Sequence, residues 1–186
     1  FVSTQNRRLF VGGEVAYTVH GKGYNTLDVS NPAKPVLLQA GNTAQFGWRQ
    51  IVANGSGLGL AAVGSNNSDD GPHEISLYDV SSPRTNNAFI TTFTTPGNAR
   101  AVSIFNGLAY VADDLAGLQV VNYLPYDAKG LPPTIALATG FSDGRAEEGK
   151  LMRVTAQVGD DVQVRHVEFY LDGKPAFTDT AFPFEF

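Results

Sequence analysis

The chain has 186 residues, a net charge of −5, 42% hydrophobic residues and 17% charged residues. These values fit a folded protein of one or two domains and exclude a disordered chain. The acidic balance, with no run of Lys or Arg, excludes a nucleic-acid-binding surface. The absence of cysteine excludes disulfides, zinc–thiolate sites and thiol catalysis. No stretch approaches the roughly 20 apolar residues of a membrane-spanning helix, so we expect no membrane span.

A short phrase repeats along the first two thirds of the chain. The residues DVSNP at 28–32 return as DVSSP at 79–83, and a divergent third copy ends at residues 122–125. An apolar strand centred on alanine precedes each copy. Strand-and-turn repeats of about 40 to 50 residues are typical of propeller blades. We therefore expect an all-β fold with about three four-stranded blades.

Turn residues mark the ends of the predicted strands. In the repeated phrase, Asp and Asn bond their own backbone and Pro ends the strand ladder, which predicts a structural role. Asn106-Gly107 predicts a two-residue hairpin in the third unit. The pair Asp113-Asp114 is interpreted as another hairpin corner. The second unit is expected to begin near Trp48, with its second and third strands separated by a polar insertion.

The repeat units resemble the LVIVD-type β-propeller repeat. The residues that carry the resemblance are AYVA at 109–112, GLQVV at 117–121 and DVSNP at 28–32. The resemblance implies a propeller architecture and says little about function. The third copy departs from the pattern at Asn122, as expected of a terminal blade that leads into a linker.

A second segment follows a short connector. We predict the C-terminal part of a propeller at 1–126, a stiff Lys-Gly-Pro-Pro linker at 127–133 and a second domain at 134–186. The run VEFYLDGK at 167–174, followed by FPF, resembles a bacterial Ig-like domain, which implies a truncated β-sandwich. Both ends of the chain are interpreted as cut, so we expect a fragment of a longer protein.

One polar insertion offers candidate metal ligands. Asn66, Asp69, Asp70 and Glu74 supply oxygen atoms beside a Gly turn, which suits calcium. The spacing does not fit an EF-hand, because Leu77 stands where the bidentate Glu would be. The alternative is a solvated loop rich in turn-forming residues. No other cofactor is expected.

Other candidates are weaker. The stretch at 55–59 (GSGLG) has the wrong spacing for a nucleophile elbow and is interpreted as a glycine-rich strand entry. His20, His73 and His166 show no paired metal-ligand spacing. Trp48 is predicted to be a core residue, with a sugar-stacking platform as the alternative.

Two functions are compatible with these patterns, and no catalytic residue is assigned. The first is a non-catalytic binding or scaffold segment of a larger secreted or cell-surface bacterial protein. Its propeller face would bind a protein or glycan ligand, and its Ig-like domain would act as a spacer. The second is a propeller enzyme, a polysaccharide hydrolase or lyase, with an axial site completed by other blades. The residues to inspect for that site are His20, Arg49, Arg100 and Tyr110.

Overall fold

A computed structural model describes residues 8–64, 74–124, 126–141 and 145–186. Within these ranges the chain is all-β, and its only helical element is the single 3₁₀ turn Asp114–Ala116. The prediction of an all-β protein is therefore confirmed.

The repeat region forms three antiparallel sheets. The strands of the first sheet are β1 (Arg8–Gly12), β2 (Val15–His20), β3 (Gly23–Asp28) and β4 (Val36–Gln39). Those of the second are β5 (Trp48–Ala53), β6 (Leu58–Val63), β7 (Glu74–Asp79) and β8 (Phe89–Thr94). Those of the third are β9 (Ala101–Phe105), β10 (Leu108–Ala112) and β11 (Leu118–Val121).

The strand order shows a simple meander in each sheet. The first sheet has the order β1-β2-β3-β4 and the second the order β5-β6-β7-β8, which is the arrangement found in propeller blades. The third has the order β11-β10-β9, one strand fewer among the described residues than the four we expected.

The second sheet lies between the other two and is covered on both faces. One face, which includes Ile51 and Ala61, packs with Tyr17 of the first sheet. The other face, which includes Leu60, packs with Val111 of the third sheet. Side chains alternate along a strand, and the outer sheets face the second sheet on one side only. Their outward faces carry exposed apolar side chains, among them Leu9, Val11, Phe105 and Val120.

The repeated phrase forms the same turn twice. The Asp28 Oδ1 atom accepts hydrogen bonds from the Ser30 backbone N at 2.9 Å and from its Oγ at 2.6 Å. Asp79 makes the same two bonds to Ser81, at 2.9 and 2.6 Å. The structural role predicted for these aspartates is confirmed.

The C-terminal region contains two hairpins. Strands β12 (Thr134–Thr139) and β13 (Val154–Gly159) form one pair, and β14 (Val167–Leu171) and β15 (Lys174–Asp179) form the other. The last residues return to β13, where the backbone of Phe186 exchanges hydrogen bonds with Val154 at 2.7 and 2.8 Å. Ala156, Val167, Phe169 and Phe184 form the core between the hairpins.

The C-terminal region contacts one end of the three sheets. That end, which we call the hairpin end, carries the turns that join the first two strands of each sheet: Gly13-Glu14, residues 54–57 and Asn106-Gly107. The Phe182 ring packs against both Gly12 and Gly55. The Asn106 backbone N donates to the Thr180 carbonyl at 3.0 Å. All three turns therefore meet the C-terminal region, since Arg165 also lies against Gly107.

Candidate functional site

The opposite end of the sheets, which we call the loop end, carries most of the residues singled out from the sequence. In an antiparallel meander, successive connections alternate between the two ends. The turn between β2 and β3 and the connections that join one sheet to the next therefore lie at the loop end. His20 ends β2, Arg49 is the second residue of β5 and Arg100 directly precedes β9, so all three lie there.

Trp48 is a core residue, and the sugar-stacking alternative is wrong. Its side chain is fully buried, with ring centroids 5.4 Å from Tyr24 and 5.1 Å from Tyr78. The indole N–H donates to the Thr43 Oγ1 at 2.9 Å and to the Gln45 carbonyl at 3.2 Å. Trp48 thus fixes the connection between the first and second sheets and offers no face to a ligand.

Gln45 bridges this connection to the second sheet. Its Oε1 accepts a hydrogen bond from the Tyr78 hydroxyl at 2.6 Å, and its Nε2 donates to the Ser76 Oγ at 3.0 Å. Burial raises the pKa of Tyr78 to about 12 and that of Tyr17 to about 12. Both phenols therefore stay protonated near neutral pH, and the Tyr78 hydroxyl acts as a structural donor to Gln45.

The calcium candidates are only partly described. Asn66, Asp69 and Asp70 lie outside the described residues. Glu74 is the first residue of β7, paired with Val63 and Thr94, and its Oε2 accepts a hydrogen bond from Gln45 at 3.3 Å. Among the described residues, no three His, Cys, Asp or Glu side chains are grouped so as to hold a metal ion. The calcium site stays a prediction from the sequence.

The four residues considered for an axial site have different surroundings. His20 is buried, and its Nδ1 accepts a hydrogen bond from the Lys22 backbone N at 3.3 Å. Burial lowers the pKa of His20, although a hydrogen bond with the backbone of Gly41 partly opposes that effect. Arg100 donates from Nη2 at 2.7 Å and from Nε at 3.1 Å to the Asp114 carboxylate.

Tyr110 lies apart from the loop end. It occupies the middle of β10, opposite Ser103 and Val120, on the outward face of the third sheet. Arg49 follows Trp48 at the start of β5. Arg100 is committed to Asp114 and Tyr110 lies in mid-strand, so these contacts assign no catalytic role to the set.

Sequence reasoning missed the part played by Asp113. Its side chain is fully buried, although the pair Asp113-Asp114 was expected to be a simple hairpin corner. The carboxylate accepts hydrogen bonds from the Thr95 Oγ1 at 2.7 Å and from the Gly97 backbone N at 2.9 Å. Asp113 therefore ties the connection between the second and third sheets to the end of β10.

Two groups of exposed side chains face outward at the loop end. The Lys22 ammonium lies 5.8 Å from the centroid of the Phe46 ring, which is 42% exposed. The 3₁₀ turn after β10 presents Leu115, which is fully exposed, beside the Arg100–Asp114 ion pair. We call these five residues the loop-end patch. They combine apolar anchors with charges of both signs.

Comparison with known proteins identifies two modules in the chain. Residues 5–43 and 96–122 match the LVIVD repeat, and residues 133–186 match the bacterial Ig domain. No curated protein and no solved structure matches the chain. Both resemblances drawn from the sequence are confirmed. The second sheet lies between the two ranges that match the LVIVD repeat, and it has the same meander order as the first sheet. No helix in the described ranges is long and apolar enough to cross a membrane.

Together these two modules suggest a non-catalytic part of a bacterial surface protein. Repeat blades and Ig domains recur in many proteins as architectures that present surfaces. The function therefore has to be argued from the surfaces that the fold leaves accessible.

Proposed function

We propose that this chain is a binding and scaffold module of a larger secreted or cell-surface bacterial protein. In this proposal the repeats extend over residues 1–126, a connector over 127–133 and the Ig domain over 134–186. The two family matches support this division.

The loop-end patch is the proposed interaction platform for a protein or glycan ligand. The observation that carries this proposal is the contact of the C-terminal region with all three turns of the hairpin end, which leaves the loop end accessible. Exposed Phe and Leu side chains beside Arg are the kind of group that anchors an interface. Phe46 and Leu115 are the proposed anchors.

In this proposal the Ig domain is a rigid spacer. The Phe182 ring between two turns and the hydrogen bond from Asn106 favour a fixed orientation over a flexible tether. A fixed spacer would direct the loop end away from whatever precedes or follows the Ig domain. The platform would then face outward on the surface that carries it.

The test is a binding screen with matched surface variants. The full chain would be screened against arrays of extracellular proteins and glycans, and each ligand found would be titrated against Phe46→Ser and Leu115→Ser. Tyr170→Ser is the control, because Tyr170 is an exposed aromatic residue on the C-terminal region. A tenfold or greater loss of affinity, about 1.4 kcal/mol, in a loop-end variant but not in the control supports the platform. Equal losses, or no loss in either loop-end variant, would overturn it.

A further inference from the structure

A groove lies between the second sheet and the C-terminal region, at the hairpin end. Its volume is about 680 Å³, within the range of small-ligand and side-chain sites. Leu58 and Leu77, both buried, line its bottom. Ile90 and Tyr126 line its sides, and Tyr126 is 83% exposed. An apolar concavity at a junction of domains is a common place for a binding site.

Acidic groups dominate the polar lining of this groove. Asp79, Asp160 and Asp161 supply three carboxylates, against the single ammonium group of Lys129. The Lys129 Nζ lies 3.2 Å from the Asp161 Oδ2 and neutralises one of the three charges. The groove therefore keeps an excess of two negative charges.

One carboxylate oxygen is buried without a partner. The Asp161 Oδ1 atom accepts no hydrogen bond, and its surface is covered by protein. A buried carboxylate oxygen that lacks a donor is costly, so the protein stabilises this carboxylate poorly, and a cation that reaches its other oxygen, Oδ2, beside Lys129 would be favoured. The neighbouring Asp160 uses its Oδ1 to accept from the Asp161 backbone N at 2.8 Å and has a second oxygen for a ligand.

We propose that this groove binds a basic peptide segment through one Arg or Lys side chain. The cationic end of that side chain pairs with Asp160 and Asp161, and its aliphatic stem lies against Ile90. An arginine would also stack on the exposed Tyr126 ring, as guanidinium groups do on aromatic faces.

The donor and acceptor balance favours a basic side chain over a neutral sugar. Ser56 lines the groove from the turn between β5 and β6. Its hydroxyl already donates to the Val162 carbonyl at 3.0 Å and lies 3.0 Å from the Asn54 Oδ1. Lys129 is paired with Asp161. The groove thus offers mainly acceptors, and its ligand has to bring donors and positive charge. A metal ion is not favoured, because the described residues contain no suitable ligand group.

The experiment uses the full chain and three short peptides. Acetyl-Leu-Arg-Leu-amide is the probe, and the same peptide with citrulline or Glu in place of Arg removes or reverses the charge while keeping the rest of the ligand. Binding is followed by calorimetry and by amide chemical shifts at moderate salt. We expect the citrulline peptide to bind at least about tenfold more weakly, since it loses the charge-assisted bonds. The shifts should include the amides of Ile90 and Tyr126.

Two variants and a matched control locate the site. Asp160→Asn keeps the side-chain size and the Oδ1 acceptor, and Tyr126→Ala alters an exposed side chain, so both should fold. Each should weaken the Arg peptide about five- to tenfold. Asp172→Asn is the control, because Asp172 is an exposed carboxylate in the turn between β14 and β15 and does not line the groove, so this variant should bind the peptide as the unmodified chain does.

Several results would overturn the proposal. These are no binding at millimolar peptide, equal affinity for the Arg and citrulline peptides, shifts that leave out the groove, or an equal loss in Asp172→Asn. Tight binding of a neutral oligosaccharide that Asp160→Asn weakens would assign the groove to a glycan instead. The outcome is independent of the proposed function above, because that proposal concerns the opposite end of the sheets.

Discussion

Replacing Gly55 by Ala should uncouple the C-terminal region from the sheets. Gly55 has a φ of +87°, and a Cβ atom at this position would lie 2.6 Å from the Phe182 Cδ2 and 2.7 Å from the Phe184 Cε2. Placing an L-residue at such a φ costs about 1–2 kcal/mol. Phe184 is buried in the C-terminal core, so its ring cannot withdraw, and overpacking costs about another 1–3 kcal/mol. We expect a total loss of about 2–5 kcal/mol in the free energy of unfolding.

Gly173, in the turn between β14 and β15, provides a control for the backbone cost. Its φ is +74°, and a Cβ atom there would meet nothing within 4 Å. Gly173→Ala should therefore cost only the backbone part, about 1–2 kcal/mol. The difference between the two variants, about 1–3 kcal/mol, isolates the contact with the aromatic rings. For a chain of 186 residues, each kcal/mol lowers the melting temperature by about 2–4 °C.

The assay is denaturant unfolding of the full chain, extended to a double-mutant cycle. Phe182→Ala removes one of the two rings that Gly55→Ala would meet, so the double variant should lose less stability than the two single losses combined, by at least about 0.5 kcal/mol. Equal unfolding free energies for Gly55→Ala and Gly173→Ala, together with an additive cycle, would refute the docking of the C-terminal region on this turn.

Three further predictions concern Asp113, His20 and the calcium candidates. Asp113→Ala leaves a hydroxyl and a backbone amide without their acceptor and should cost about 1–3 kcal/mol in denaturant unfolding. Asp114→Ala, which breaks an exposed ion pair, should cost less than about 1 kcal/mol, and equal costs would contradict this assignment. Because burial lowers the pKa of His20 below the ordinary 6.5, the unfolded chain binds a proton more readily. Stability should therefore fall as the pH drops below about 6.5, and a profile that His20→Gln leaves unchanged would argue against this cause. Calcium should raise the melting temperature by a few degrees, reversibly with EDTA, and Asp69→Ala with Asp70→Ala should abolish the rise; melting that does not respond to calcium would discard the metal hypothesis.

Local chemistry explains the features that could be predicted from the sequence. The Asx turns at Asp28 and Asp79 need only the two residues that follow each aspartate. The Asn106-Gly107 hairpin needs two residues with positive φ, and the structure has φ values of 49° and 74° there. Such features depend on neighbours in the chain, so their sequence patterns are sufficient.

Contacts between distant segments explain what could not be predicted. The Ser56 hydroxyl meets a carbonyl 106 residues further along the chain, and nothing in the stretch at 55–59 indicates that partner. The residues around Asp113 in the sequence predict a turn. Its burial depends on the connection between the second and third sheets, where Thr95 and Gly97 donate to its carboxylate. Within the described residues, the third sheet has three strands, whereas the repeat length suggested four.

The central position of β6 affects how the molecule opens. All six of its residues are buried, and its backbone is paired on both sides, with β5 and with β7. Its sequence, LGLAAV, contains small residues, and a Cβ atom on Gly59 would lie 2.9 Å from the Cγ1 of Val80, the residue that directly follows β7 in the same sheet. The amide hydrogens of this strand can exchange with solvent only when its hydrogen bonds to β5 and β7 break, which requires the packed sheets on both faces to open as well. Their exchange rates would report the opening of the whole three-sheet stack, whereas those of β1 or β11 would report the fraying of one sheet.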